Sequence, residues 1–109
     1  MRIAIPVSDN NGELSVVAEH FGHVRFIAIY DAKTKELKMV GVQETEGCSP
    51  VSAIENLDID EIYCFGMGSR AINLCKEKGI ELKTGRFKVV RDVIKNLDKL
   101  ESLTEGCGH

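Results

Sequence analysis

The chain has 109 residues, a formal charge of -3, 43% hydrophobic and 28% charged residues, and no tryptophan. That length fits one small domain rather than a two-domain enzyme with a separate substrate lobe, and the composition is that of a globular chain, not a disordered one. A mildly acidic chain, with pI near 5.6, lacks the basic footprint of a nucleic-acid binder, whose affinity comes mainly from neutralising phosphates.

Residues 2–7 (RIAIPV) read as a short apolar strand, with Pro6 expected at its end or on an edge because proline donates no ladder hydrogen bond. A turn cluster (SDNNGE) and a loop carrying His20-Phe21-Gly22-His23 follow. Residues 25–30 and 36–43 read as two strands joined by a hairpin connection. Ser49-Pro50 starts a short helix, since serine caps free N–H groups and proline loses nothing at the first helical position. Residues 61–65 read as a fourth strand, 69–78 as a helix ended by Gly79, and 80–83 as a fifth strand. A last helix is expected over residues 87–103, where Val90, Val93, Ile94, Leu97 and Leu100 recur every three or four positions.

A hairpin followed by strand–helix alternation predicts an α/β fold with a mixed five-stranded sheet and flanking helices. The expected domain spans residues 1–103, followed by a flexible tail, 104–109, that holds Cys107 and His109. The longest apolar run, residues 26–30, is far short of the roughly 20 residues that cross a bilayer. Because the chain enters a strand directly from Met1, a cytoplasmic protein without membrane association is expected, with reduced thiols.

Four cysteines and three histidines then pose the chemical question. Cys64 lies in an apolar strand and Cys75 in mid-helix, so both read as small core residues. Cys48 precedes a capped helix, whose N–H groups would stabilise a thiolate. Cys107 and His109 form a Cys-x-His pair on the tail that can reach a soft metal. His20 stands beside an aromatic and a glycine just before a strand, whereas His23 reads as a surface residue. No C-x-x-C pair supports a zinc ribbon or a dithiol redox motif. No G-x-S-x-G elbow or convergent set of strand carboxylates supports a hydrolase or nuclease, so no catalytic residue is assigned.

Gly66-Met67-Gly68-Ser69-Arg70-Ala71 matches G-x-G-x-x-A between a strand and a helix. Three readings are open and rank in this order: a tight turn, a nest of N–H groups for some anion, and a dinucleotide site.

The opening Ile3-Ala4-Ile5-Pro6-Val7, the segment Glu19-His20-Phe21-Gly22, the Gly66–Ala71 turn, Lys78-Gly79-Ile80 and the closing amphipathic segment stand in a recognisable order. Together they resemble the dinitrogenase iron–molybdenum cofactor biosynthesis family, the group of NifX, NafY and the NifB tail, over nearly the whole chain. The resemblance implies a ribonuclease H-like three-layer fold without nuclease chemistry. It also implies a non-enzymatic domain that carries an iron–sulfur or iron–molybdenum-type cluster, bound transiently and absent after aerobic isolation. Donor and acceptor proteins for that cluster are the implied partners, and the chain itself is expected to be a monomer or weak homo-oligomer. Carried over by position, His20 is the candidate cluster ligand, with Phe21 and Gly22 beside it, Cys48 as a further soft ligand, and Gly66, Met67, Gly68, Ser69 and Arg70 facing the cargo. The competing expectation is a small-molecule or nucleotide-binding regulatory module that uses the Gly66–Gly68 turn. A third is an adaptor without a cofactor.

Overall fold

The computed structural model describes residues 1–18, 26–41, 58–65 and 69–102. In chain order they form β1 (Arg2–Val7), a 3₁₀ turn at Gly12–Leu14, β2 (Phe26–Asp31), β3 (Glu36–Gly41), β4 (Glu61–Tyr63) and α1 (Ser69–Glu77). Then come β5 (Glu81–Thr84), α2 (Val90–Lys95), a second 3₁₀ turn at Leu97–Lys99, and β6 (Glu101–Ser102). The class is α/β, as expected from the order of elements. The helix expected after Ser49 lies outside the described residues.

Residues 3–7 are all buried, and an apolar run without polar alternation is what a strand covered on both faces requires. β1 accordingly lies inside the sheet, whose order is β3-β2-β1-β4-β5-β6. It pairs antiparallel with β2, from Arg2↔Asp31 to Val7↔Phe26, and parallel with β4 through Ile3↔Glu61 and Ala4↔Ile62. Pro6 sits one residue from the strand's end, past the residues paired with β4, where a missing N–H is tolerated.

The two faces of the sheet carry separate cores. One gathers Ala4, Ile27, Ile62, Cys64 and Leu82 under Ile72 and Cys75 of α1. The other gathers Ile3, Ile5, Val7, Ala28 and Tyr63 under Val90 and Val93 of α2. Cys64 and Cys75 are therefore core residues, neither of them in a disulfide. Burial pushes the Cys75 thiol up to about 11, so it stays protonated. α1 closes at Gly79, whose φ of +73° suits glycine, with the Ile80 N–H donating to the Cys75 carbonyl at 2.9 Å.

Two expectations are corrected. Among the described residues the sheet has six strands, not five, because Glu101 and Ser102 pair antiparallel with Thr84 and Lys83. The single helix expected over residues 87–103 is instead a six-residue helix, a 3₁₀ turn and that strand. Asn96 ends α2: its side-chain amide donates to the Asp92 carbonyl at 2.8 Å, and its backbone leaves helical geometry at φ -128° and ψ 34°. The apolar stripe survives the break, since Ile94, Leu97 and Leu100 are three apart and a 3₁₀ turn keeps that spacing on one side.

The β2–β3 hairpin turns on Asp31. Its Oδ1 accepts from the N–H groups of Lys33 (2.9 Å) and Thr34 (3.4 Å), and Oδ2 accepts from Arg2 Nε at 3.4 Å. The Lys33 hydrogen bond above all holds the carboxyl below the ordinary carboxylate value. A lowered native pKa gives stability that is present above the unfolded value and lost as pH falls through the native one. Urea midpoints should therefore fall on acidification below pH ~4, and fall less in Asp31→Asn, whose side chain no longer titrates. Lys35 closes the same turn at φ +61° and is exposed. Left-handed geometry costs a non-glycine residue roughly 1–2 kcal/mol, so Lys35→Gly should stabilise the fold by up to about 1 kcal/mol after the added chain entropy, read as a higher Tm.

Candidate functional site

The chain changes direction across the sheet between β1 and β4. From β1 it builds β2 and β3 on one side, then returns to build β4, β5 and β6 on the other. In open α/β sheets the crevice outside the carboxyl ends of the strands at such a switch point is the usual ligand site. Register places Val7, Tyr63 and Thr84, the carboxyl ends of β1, β4 and β5, on that edge with Phe26 and Gly41.

Two described loops shape this edge. Residues 8–18 fold back onto β1: Val17 bridges Val7, and Ala18 N–H donates to the Pro6 carbonyl at 2.9 Å. Asp9 fixes the fold-back by accepting from the Val16 N–H at 2.8 Å and from the Asn11 side-chain amide. Fully buried Ser15 accepts from the Asn11 N–H at 2.8 Å, and its carbonyl receives the Val90 N–H at 3.0 Å. The second loop, residues 85–89, leaves β5 and crosses the ends of β4 and β1. At β4 the Tyr63 hydroxyl donates to the Phe87 carbonyl (2.8 Å) and accepts from the Phe87 N–H (2.9 Å). At β1 the Val17 N–H donates to the Lys88 carbonyl at 2.8 Å, and Val16 bridges Val89.

Tyr63 is fully buried, and burial pushes its phenol up to about 12, so the hydroxyl keeps the proton it donates. A Cβ at Gly85 would stand 3.4 Å from both the Tyr63 and the Phe87 ring, so the glycine lets the loop lie close to them. Phe65 packs edge-on against Tyr63, with ring centres 5.9 Å apart and planes at 72°.

His20, Phe21, Gly22, Cys48, Gly66, Met67, Gly68, Cys107 and His109 lie outside the described residues, as do the side chains of Ser69 and Arg70 at the start of α1. What is described is where their segments attach. His20 stands six residues before Phe26, the Gly66–Gly68 turn lies between Phe65 and Ser69, and Cys48 follows Gly41 in the chain. Phe26, Phe65 and Gly41 all belong to the carboxyl edge. The tail does not start there: β6 runs from Glu101, opposite Thr84, toward Ser102, opposite Lys83, and so leaves the edge. Among the described residues no group of three or more His, Cys, Asp or Glu side chains is arranged for a metal ion.

The sequence reading passed over Tyr63, Phe87, Arg86 and Lys88, having placed Phe87 and Lys88 in a helix. A glycine just after a strand followed by Arg-Phe-Lys was the available signal for a structured loop.

The model of the family described as dinitrogenase iron-molybdenum cofactor matches residues 1–100. The chain belongs to that family. Among solved structures it is similar to PH0822, with a TM-score of 0.82 and 30% identity over 96% of this chain and 98% of that one. The apo form of the orange protein from Desulfovibrio gigas has a TM-score of 0.84 at 16% identity, over 98% and 96% of the two chains. A candidate NifB protein from Thermotoga, solved by NMR, has a TM-score of 0.82 at 21% identity, over 99% and 97%. The last two likenesses concern the fold. No curated protein sequence matches the chain. No helix among the described residues is long and apolar enough to cross a membrane.

The Tyr63–Phe87 clamp makes a direct test of how this edge is held. Tyr63→Phe keeps the ring but leaves the half-buried N–H and C=O of Phe87 without these partners, and should cost about 1 kcal/mol in chemical denaturation. A wild-type midpoint in that variant would mean the clamp contributes nothing.

Proposed function

We propose that the protein binds and carries a preformed iron–sulfur or molybdenum–iron–sulfur cluster and catalyses no reaction on it. The observation that carries this reading is the shared attachment of the His20 and Gly66–Gly68 segments to the carboxyl edge at the β1/β4 switch point. Family membership supports the cargo class. We further read the three-layer arrangement, with its hairpin start and central parallel pair, as ribonuclease H-like.

The chemistry divides by residue type. A neutral imidazole at His20 is a metal ligand, and a Cys48 thiolate is a softer one. Backbone N–H groups at residues 66–69 offset the negative charge of bridging sulfides, and Phe21 and Met67 offer apolar and polarisable contact. The carrier works in the cytoplasm between a donor and an acceptor protein, and holds its cargo as a substrate rather than as a resident cofactor.

Anaerobic incubation with a preformed iron–sulfur cluster should give a coloured complex that survives gel filtration. His20→Ala should weaken uptake by about tenfold or more, on the order of losing one ligand and its orientation. Equal uptake by the variant would remove His20 from the ligand set. Calorimetry with ATP and NAD separates the competing reading: micromolar binding lost in Gly68→Val, with no cluster uptake by wild type, would make the protein a nucleotide-responsive module instead.

A further inference from the structure

The loop of residues 85–89 has a course that the family assignment does not explain. It passes in turn over the ends of β5, β4 and β1, tied to β4 by both hydrogen bonds of the Tyr63 hydroxyl and to the β1 extension through Val17 and Val16. Three of its backbone groups, the N–H and C=O of Phe87 and the C=O of Lys88, hold it along the switch-point edge. On this fixed strip Phe87 and Val89 are half-buried, while Arg86 and Lys88 are exposed. No carboxylate among the described residues forms a salt bridge with either cation.

Five acids cluster at the opposite edge. Asp60, Glu61 and Glu81 stand at the amino ends of β4 and β5, with Asp31 at the end of β2 beside them and Asp58 just before. Burial, and the repulsion of neighbouring Glu81 and Asp60, raise the Glu61 carboxyl. On the binding edge itself, Asp9 is engaged by the Val16 N–H and the Asn11 side-chain amide, and Glu13 and Glu101 are exposed, while Arg86 and Lys88 lie exposed on the pinned loop.

We infer that residues 85–89 form a cationic wall of the binding edge, on which Arg86 and Lys88 attract and retain a compact polyanion of the sulfide-bridged cluster class. This rests on the carrier reading and adds to it two residues that are not metal ligands. They act through charge, so the structure needs no bond from either to the cargo. Sulfide-bridged iron clusters with thiolate caps are anions, and fixed cations at a crevice raise both capture rate and affinity in a way that salt screens. Metal ligation by His20 is not screened in that way, so ionic strength separates the two contributions.

The test uses a preformed, thiolate-capped iron–sulfur cluster as the probe, titrated anaerobically into the full chain at low and high salt. Arg86→Gln with Lys88→Gln should weaken uptake about tenfold at low salt and flatten the salt dependence, with an unchanged Tm because both side chains are exposed. The charge-preserving pair Arg86→Lys with Lys88→Arg should behave as wild type. His20→Ala should lower uptake while keeping the wild-type salt slope. Equal uptake and equal slope in the Gln pair would overturn the wall while leaving the carrier reading intact. No uptake by wild type would overturn both. Normal uptake by the Gln pair, combined with slower cluster transfer to an acceptor protein, would also overturn it and assign the strip to an acidic partner surface.

Discussion

The parallel pairing of β1 with β4 is the constraint on which the rest of this protein depends. Two residue pairs, Ile3↔Glu61 and Ala4↔Ile62, join a hairpin half to a strand–helix half. Parallel neighbours cannot be joined by a tight turn, so the chain must travel from β3 back across the sheet before β4 can form. That return leaves the carboxyl ends of β1 and β4 side by side with their onward chains going to opposite sides. An open α/β sheet offers its ligand edge at such a divergence. Its position is thus a property of topology, and the residues lining it are free to specialise.

A crevice made by diverging chains needs walls, and the hydrogen-bond accounting shows how two are held. Residues 8–18 and 85–89 leave the sheet, yet they pair with each other and with the strand ends through Val7↔Val17, Val16↔Val89 and the Tyr63 hydroxyl. Each bond satisfies a main-chain group that would otherwise face a half-buried setting without a partner. Tyr63 is suited to this as phenylalanine is not: its ring fills the α2-side core while its hydroxyl reaches the loop. One residue thereby connects the packing of the core to the placement of Arg86 and Lys88.

Much of the scaffold was legible in the sequence because it is written in apolar patterning. β1 emerged with its observed bounds from an apolar run, and α1 from its place after β4 and the glycine that ends it. β6 was not legible, since Glu101 and Ser102 carry no apolar signal and are a strand only through their pairing with β5. The break in the last helix was hidden for a related reason. Asn96 ends it through a side-chain bond, while Leu97 and Leu100 continue the spacing on which a helix reading rests. At the site, motif residues such as His20 and Gly68 could be picked out by type, but their shared edge depends on register, which no local pattern encodes. Arg86 and Lys88 are marked only by the glycine that follows β5 and opens their loop, a signal that the continuing apolar spacing overrides.

Charge shows the same gap between count and placement. A net charge of -3 argues against a broad polyanion such as a duplex, because such a partner samples the whole surface. It says little about a compact anion at one edge. The four residues of β5 span only roughly 10 Å, about one screening length, since fields in physiological salt decay over about 8 Å. The fields of the carboxylates at the amino ends of β4 and β5 are therefore weakened, though not abolished, at the carboxyl ends of those strands. At residues 85–89 a compact anionic ligand meets two exposed cations on a loop held by hydrogen bonds at Phe87 and Lys88, with Asp9, Glu13 and Glu101 elsewhere on the edge. The acidic total and the cations of the loop are compatible because charge in salt acts over short range, and a ligand at the loop lies nearer to Arg86 and Lys88 than to the acids at the amino ends of β4 and β5.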